Sequence, residues 1–341
     1  MKVIITDPIS ESGISFLKEA DFSVVQLYNA SKEDIIRACE DADGWIIRSG
    51  TKIDKKMIKA AKKLKAIGRA GVGVDNIDID EATKRGIIVM NTPDVNTISA
   101  AEHSIAMMLA LSRNVSIGDS EVKQMKWNRH LLIGSELRAK TLGLVGMGKI
   151  GREVMSRCIS FGMNVLGYDP FVNKEMFKDG EIEIVDLDRL TEQSDFISIH
   201  VPLNSDTTNL FDYKRLKKMK QTARIINVSR GGIINEKDLS RALRDGVISG
   251  AAIDVFTKEP IEKSNPLIDS PNILLTPHLG ASTEEAKEGV SISICQQLKS
   301  YLIDEKLENA INIPFGGLSR IKDLELSLKL SETIGRIQSQ I

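Results

Sequence analysis

The sequence predicts an α/β protein with two doubly wound parallel sheets. Three observations carry the prediction. Short apolar runs of strand length alternate with helix-length segments from the first residues onward, the pattern of parallel strands joined by crossover helices. The alternation restarts at Thr141, after a long apolar helix and a polar stretch, which makes two units of one kind. At 341 residues the chain is long enough for each unit to bury its own core.

In the first unit, strands are expected at 3–6, 23–28, 44–48, 64–68 and 87–90. Helices are expected from a Ser10 cap to about 20, from Ser31 and Asp34 through Cys39, over 54–62, and over 78–85 closed by Gly86. Ser and Asp suit such starts because their side-chain oxygens accept the unpaired amides of a first turn. Arg48 follows Trp45-Ile46-Ile47, and Arg69 follows Ala66-Ile67-Gly68. Ligands of open α/β sheets lie beyond the carboxyl ends of the strands, so both arginines are candidate ligand groups. The competing reading is two surface arginines paired with acids.

Residues 91–96 form a polar connection, and 98–113 a long, mostly apolar helix read as an inter-domain or subunit-contact element. His103, within it, reads as a packed histidine rather than a catalytic one. Residues 115–140 are polar and take no definite element; Trp127 and Arg129 fall there in a loop or at a helix end.

The second unit opens with a strand at 141–145, followed by Gly146, Gly148 and Gly151 in the spacing G-x-G-x-x-G. Ile150, Val154 and Met155 then recur at helical spacing up to Gly162. In a strand–turn–helix of this kind the first glycine allows the bend and the second lets the backbone approach a pyrophosphate. The third lets helix and strand pack closely. The next strand, 164–168, ends at Asp169, near the spacing of a ribose-binding acid. A carboxylate there accepts from a free 2′-hydroxyl and repels a 2′-phosphate, which favours NAD over NADP.

Later strands are expected at 182–185, 195–201, 223–229, 248–256 and 272–276. The basic run 214–220 reads as a solvated helix face, 282–303 as a long amphipathic helix and 309–314 as a return strand or extended crossing. Three strand ends carry unlike polar groups: Arg230-Gly231-Gly232, Thr257-Lys258-Glu259-Pro260 and Pro277-His278-Leu279-Gly280. Oxidising an alcohol by hydride loss needs a base for the hydroxyl proton. A histidine titrates near neutrality, a carboxylate stabilises its imidazolium, and an arginine can clamp a substrate carboxylate. His278 is therefore assigned as acid/base, Glu259 as its partner and Arg230 as clamp. Three unrelated loop residues is the alternative.

Net charge is −1, so no global field recruits nucleic acid or an acidic membrane. Cys39, Cys158 and Cys295 are widely spaced, form no C-x-x-C and read as reduced thiols of a cytoplasmic protein. No metal-ligand spacing, signal peptide or membrane-spanning run is present in the sequence.

With these residues in view, the sequence resembles the D-2-hydroxyacid dehydrogenases that transfer hydride to NAD. The resemblance covers nearly the whole chain. It rests on RSGTKI from Arg48, GRAGVGVDNID from Gly68, NTISAAEH from Asn96 and GLVGMGKIGREV from Gly143. It continues in GYDP from Gly167, NVSRGGIINE from Asn227, DVFTKEP from Asp254 and TPHLGAST from Thr276. The resemblance implies Rossmann-like and flavodoxin-like domains with a cleft between them. It implies a discontinuous substrate domain (1–96 plus 280–312), an NAD domain (97–279) and a C-terminal helical tail (313–341). NAD would be held by Gly146, Gly148, Lys149, Ile150, Gly151 and Asp169, by Val228, Ser229 and Arg230, and by Asp254, His278, Gly280 and Ala281. A small anionic 2-hydroxy acid would meet Arg48, Arg69, Gly71, Arg230 and His278, with Arg129 a further candidate. Arg48 and Arg69 match basic positions that hold the phosphate and carboxylate of a phosphorylated 2-hydroxy acid in some relatives. The helix at 98 would contribute to a homodimer.

Two departures stand out. Val201 occupies a position where some relatives carry a cofactor-contacting Thr, and Lys149 replaces the more usual Arg. Leu326, Leu330, Ile334, Ile337 and Ile341 form a helical stripe that runs to the last residue. Longer members continue from a similar helix into regulatory domains, so the expectation is a form without feedback through such a domain. An unphosphorylated 2-hydroxy acid as substrate, or a dinucleotide-sensing binding protein without turnover, are the rival functions.

Overall fold

A computed structural model describes residues 1–172, 177, 182–313, 330, 331, 333 and 334. The described residues divide by their contacts into two units, one of Met1–Asn96 with the chain from Thr283 onward, the other of Thr97–Ser282.

In the first unit, β1 (Lys2–Ile5), β2 (Ser23–Gln26), β3 (Gly44–Ile47), β4 (Ala66–Arg69) and β5 (Ile88–Met90) form a parallel sheet in the order β2-β1-β3-β4-β5. Alternate residues of the central strands enter opposite cores, as the pleat requires. Ile4, Trp45, Ile47 and Ile67 pack on the face of α2 (Lys32–Cys39), α3 (Lys55–Ala60) and α4 (Ile79–Lys84). Val3, Ile5, Ile46 and Ala66 pack on the face of α1 (Glu11–Glu19) and α11 (Glu284–Asp304). Ser10, Ser31, Asp54 and Asp78 cap α1 to α4, each accepting a first-turn amide.

Helix α11 lies close against this sheet. A Cβ at Gly68 would stand 2.7 Å from Ile294, and one at Gly44 would stand 3.0 Å from Leu298. Of the return strand or extended crossing expected at 309–314, the described residues show one antiparallel bridge between Ala310 and Met90, with Ile311 N–H donating to Val89 O. Of the C-terminal stripe, Leu330 and Ile334 are helical and exposed; Leu326, Ile337 and Ile341 lie outside the described residues.

The second unit holds seven parallel strands among the described residues. They are β6 (Thr141–Val145), β7 (Asn164–Tyr168), β8 (Glu183–Ile184), β9 (Phe196–Ile199), β10 (Arg224–Asn227), β11 (Gly250–Ile253) and β12 (Ile273–Leu275). Their order is β12-β11-β10-β9-β6-β7-β8, which reverses direction between β6 and β9. That reversal opens a crevice at the carboxyl edge. Helix α5 (Thr97–Ser112) packs on α7 (Lys149–Ser160) and on β10 to β12. Helices α8 (Leu187–Gln193), α9 (Tyr213–Leu216) and α10 (Glu236–Arg244) complete the unit.

Three expectations change. Strand β11 ends at Ile253 rather than near 256; Asp254 N–H still donates to Asn227 O of β10, while its side chain turns to the Leu279 and Gly280 amides. The unplaced segment 115–140 contains α6 (Val115–Lys123) and a 3₁₀ turn, Arg129–Leu131. Helix α6 buries none of its residues, and Val115, Ile117 and Val122 are exposed, so it lacks the inward stripe that marks a helix in sequence. Helix α9 covers only part of the basic run, and Lys218 and Lys220 pair with Asp188 and Asp195.

Candidate active site

The three glycines after β6 have three different physical reasons. Gly146 has φ +100°, and a Cβ on it would stand 2.4 Å from His200 O. A Cβ on Gly151 would stand 2.2 Å from Gly146 O, so helix α7 reaches the turn only without one. A Cβ on Gly148 would meet nothing within 4 Å. The open space lies at the N-terminus of α7, whose first amides and dipole favour a phosphate. At the end of β7, Asp169 accepts Met147 N–H and Phe171 N–H, both at 2.9 Å, one on each carboxylate oxygen. Each oxygen retains acceptor capacity for a ribose hydroxyl. These residues fit a dinucleotide with a free 2′-hydroxyl. Lys149 and Ile150 open α7 beside this space.

Adjacent strands β10, β11 and β12 bring the expected trio together. After β10, Asn227 Oδ1 accepts Ser229 N–H (3.0 Å) and Ser229 Oγ–H (2.8 Å), and its Nδ2 donates to Arg230 O (2.9 Å). This shapes the turn that presents Arg230. A Cβ on Gly231 would stand 2.0 Å from the Phe256 carbonyl carbon, so the turn rests directly on the backbone leading to Glu259. Phe256 N–H donates to Glu259 Oε1 (3.0 Å), and Glu259 Oε2 lies 2.6 Å from His278 Nδ1. With Nδ1 engaged as donor, Nε2 is the ring atom left for a substrate proton.

His278 sits at φ +56°, in the left-handed region that disfavours side chains with a Cβ. Its N–H donates to Asp254 O (2.8 Å), while the Asp254 carboxylate accepts Leu279 N–H (2.8 Å) and Gly280 N–H (2.9 Å). Asp254 is wholly buried. Burial opposes its charge, but hydrogen bonds from His103, Thr276 and Leu279 N–H outweigh burial and hold its pKa below the ordinary value. The same contest holds at Glu259: burial raises, while hydrogen bonds from His278 and Phe256 N–H lower it further, and the net shift is downward. Both carboxylates are thus set to remain ionised at neutral pH.

The other expected cofactor residues lie around these turns. Val228 is buried, and a Cβ on Gly280 would stand 2.8 Å from its Cγ1. Ala281 is half-buried. Asp254 has no exposed surface, so any part it takes in binding passes through the turn it holds. Sequence pattern does not mark Asn227 or His103 as site residues. Asn227 had one signal, an amide closing an otherwise apolar strand; His103 had none beyond a polar residue on an apolar helix.

In the first unit, Arg48 and Arg69 stand at neighbouring strand ends, with Ile47 in register with Arg69. Arg48 N–H donates to the buried Asp7 carboxylate (2.6 Å), and its Nη1 donates to Pro8 O (3.4 Å). No carboxylate among the described residues lies within ion-pair reach of the Arg48 guanidinium, which weighs against the reading of a paired surface arginine. A Cβ on Gly71 would stand 1.4 Å from Arg69 Nη1, so Gly71 provides the space the guanidinium occupies.

Among the described residues Arg129 makes no hydrogen bond with Arg230, Glu259 or His278. It is exposed on its 3₁₀ turn, and nearby Ile133 lines a recess with Arg224, Ser249 and Asn272, at the amino ends of β10, β11 and β12. His278 follows the carboxyl end of β12. Within the second unit the structure therefore does not bring Arg129 to the trio. Among the described residues no group of three or more His, Cys, Asp or Glu gathers to hold a metal, and no helix is long and apolar enough to cross a membrane.

A glycine turn at a switch point, an acid at the next strand end and an Arg/Glu/His edge define an NAD-binding oxidoreductase class. Residues 105–280 match the model of the D-isomer specific 2-hydroxyacid dehydrogenase NAD-binding domain. The chain belongs to that family. It is 45% identical over 340 residues to D-3-phosphoglycerate dehydrogenase of Synechocystis, covering 100% of this chain and 61% of that protein. It is 42% identical over 342 residues to D-3-phosphoglycerate dehydrogenase of Methanocaldococcus jannaschii, covering 100% and 65%. The chain thus spans under two thirds of the length of these relatives. Among solved structures, NAD-dependent formate dehydrogenase of Staphylococcus aureus in complex with NAD superposes with TM-score 0.82 at 29% identity, over 91% of this chain and 99% of that one. A Thermus thermophilus protein superposes with TM-score 0.84 at 32% identity, over 91% and 100%.

Proposed function

We propose that this chain oxidises 3-phosphoglycerate to 3-phosphohydroxypyruvate with NAD, reversibly, as the first step of serine biosynthesis. The observation that carries the chemistry is the 2.6 Å pair of His278 Nδ1 and Glu259 Oε2, one strand from the Arg230 turn. The substrate assignment is supported by the two relatives above and by the Arg48 guanidinium, which no described carboxylate engages.

Bound NAD supplies the hydride acceptor. Gly146, Gly148, Lys149, Ile150 and Gly151 would hold its pyrophosphate, Asp169 its ribose, and the Val228–Arg230 and His278–Ala281 turns its nicotinamide end. His278 Nε2 takes the C2 hydroxyl proton in oxidation and returns it in reduction. Glu259 balances the positive charge on the protonated ring. Arg230 grips the substrate carboxylate and polarises the adjacent carbonyl. Arg48 and Arg69, with Gly71 giving Arg69 its room, bind the phosphate. The substrate domain is assigned to 1–96 with 280–312 and the NAD domain to 97–279.

A homodimer is part of the proposal. Ile98, Val115, Ile117, Val122, Met125 and Trp127 leave apolar side chains exposed on α5, α6 and the following loop, which supports this reading. The three cysteines are buried and unpaired, which supports a reducing compartment such as the cytoplasm.

The test is NADH oxidation at neutral pH, comparing phosphohydroxypyruvate with hydroxypyruvate, glyoxylate, pyruvate and 2-oxoglutarate. A clear preference for phosphohydroxypyruvate is expected. Preference for an unphosphorylated acid would overturn the substrate and the roles of Arg48 and Arg69. Tight NADH binding with no turnover on any of them would favour a sensing protein.

A further inference from the structure

We propose that His103 is a positioning residue for His278, acting through Asp254; the proposal rests on the catalytic role given to His278 above. His103 lies on α5, a mostly apolar helix, and is far from the trio in sequence. Its Nε2 stands 3.2 Å from Asp254 Oδ1 and 3.3 Å from Thr276 Oγ1. Thr276 Oγ–H itself donates to Asp254 Oδ1 (2.6 Å), so the Asp254 carboxylate accepts from four groups. Three are neutral: the Thr276 hydroxyl and the Leu279 and Gly280 amides. His103 alone among them can become a cation beside a wholly buried carboxylate.

What Asp254 holds is the reason this matters. Leu279 and Gly280 are the two residues after His278, and His278 carries a backbone conformation costly for any residue with a Cβ. An ionised Asp254, with both oxygens engaged, keeps the turn in that conformation and the imidazole beside Glu259. Without the His103 donor the buried charge loses one of its four partners, and a protonated Asp254 would hold the two amides less firmly. Helix α5 also grips the turn at a second point: Ser99, four residues before His103, donates its hydroxyl to Gly280 O (2.9 Å). The first turns of α5 thus touch the catalytic turn from the carbonyl side through Ser99 and from the amide side through His103 and Asp254. The charged groups around this arrangement are Asp254 itself, with Glu259 and His278 beyond it. The neighbouring Glu102 pairs with Arg157 of α7 (3.8 Å).

The experiment has a kinetic arm and an arm independent of turnover. The chain has four histidines, so His278 can be assigned in imidazole NMR spectra by its loss in one variant. In His103→Leu, kcat is expected to fall about 10–100-fold, the cost of a small misplacement of a reacting group. NADH affinity should fall far less than kcat, since the glycine turn and Asp169 that would hold the pyrophosphate and ribose belong to other strands, and the His278 titration curve should move. In His103→Gln, whose amide can still donate, much of kcat and the parent titration should return. A parent-like kcat and His278 titration in His103→Leu would overturn the proposal, as would an equal loss in His103→Gln. Should His103→Leu lose NADH binding, His103→Asn decides instead: its amide is too short to reach Asp254, and an unchanged His278 titration there overturns the proposal. If the parent turns over no 2-hydroxy acid, the proposed function fails, while the His278 titration still decides the role of His103.

Discussion

The carboxyl edges of the two sheets treat charge in opposite ways. On the seven-stranded sheet nearly every polar group is engaged before any ligand arrives. Asp254 is surrounded by donors, Glu259 is divided between Phe256 N–H and His278, and Asn227 uses both ends of its amide on one turn. On the five-stranded sheet the buried Asp7 does similar work, accepting Arg48 N–H, Thr51 N–H and the Thr51 hydroxyl. Yet among the described residues the Arg48 guanidinium it positions meets one carbonyl, at 3.4 Å. The difference follows from the tasks. A proton-transfer group must be aimed in advance, because misplacement is costly at the transition state. A group that recruits an anion must keep donors available, because a guanidinium already neutralised attracts little.

The hardest test of that contrast is His278→Ala. Loss of the acid/base group should lower kcat by about 100–10,000-fold, with NADH binding retained, in steady-state NADH oxidation. A loss under tenfold would mean that the engaged edge is scaffolding and the proton moves elsewhere.

Asp254→Asn comes next and separates orientation from chemistry. Breaking a buried, hydrogen-bonded carboxylate should destabilise the fold by about 3 kcal/mol, measured by urea unfolding at pH 7. The folded-state pKa of Asp254 is depressed, so its contribution is complete above the ordinary carboxyl value of 3.8 and is lost as pH falls through the lower folded value. The stability gap between parent and variant should therefore close in acid. A gap independent of pH would show that the carboxylate's charge is not what holds the turn.

The smallest effects are expected at the strand ends of the five-stranded sheet. Arg48→Ala and Arg69→Ala should each reduce kcat/KM for phosphohydroxypyruvate about tenfold, the worth of one charged hydrogen bond, with smaller losses on glyoxylate. Equal losses on both substrates would erase the proposed distinction between the two edges.

Much of this was open to sequence reasoning because it is local. The Ser10, Ser31, Asp54 and Asp78 caps each act on an amide three residues on, and the helices begin where those residues stand. The glycine turn is legible because its spacing stands between a strand and a helix, with an acid at the end of the next strand. Helix α6 escaped because its apolar residues face away from the core, so no buried stripe marked it.

By itself, then, the sequence determined the strand–helix alternation, the caps, the glycine turn with its acid, and which residue types end each strand. These depend on backbone preference and side-chain period over a few residues. Only the tertiary structure decided which of those end groups meet. Glu259 and His278 are 19 residues apart, and His103 and Asp254 are 151 apart. The physical reason is that a hydrogen bond needs its partner within about 3 Å, and strand order, not sequence distance, sets which turns share an edge.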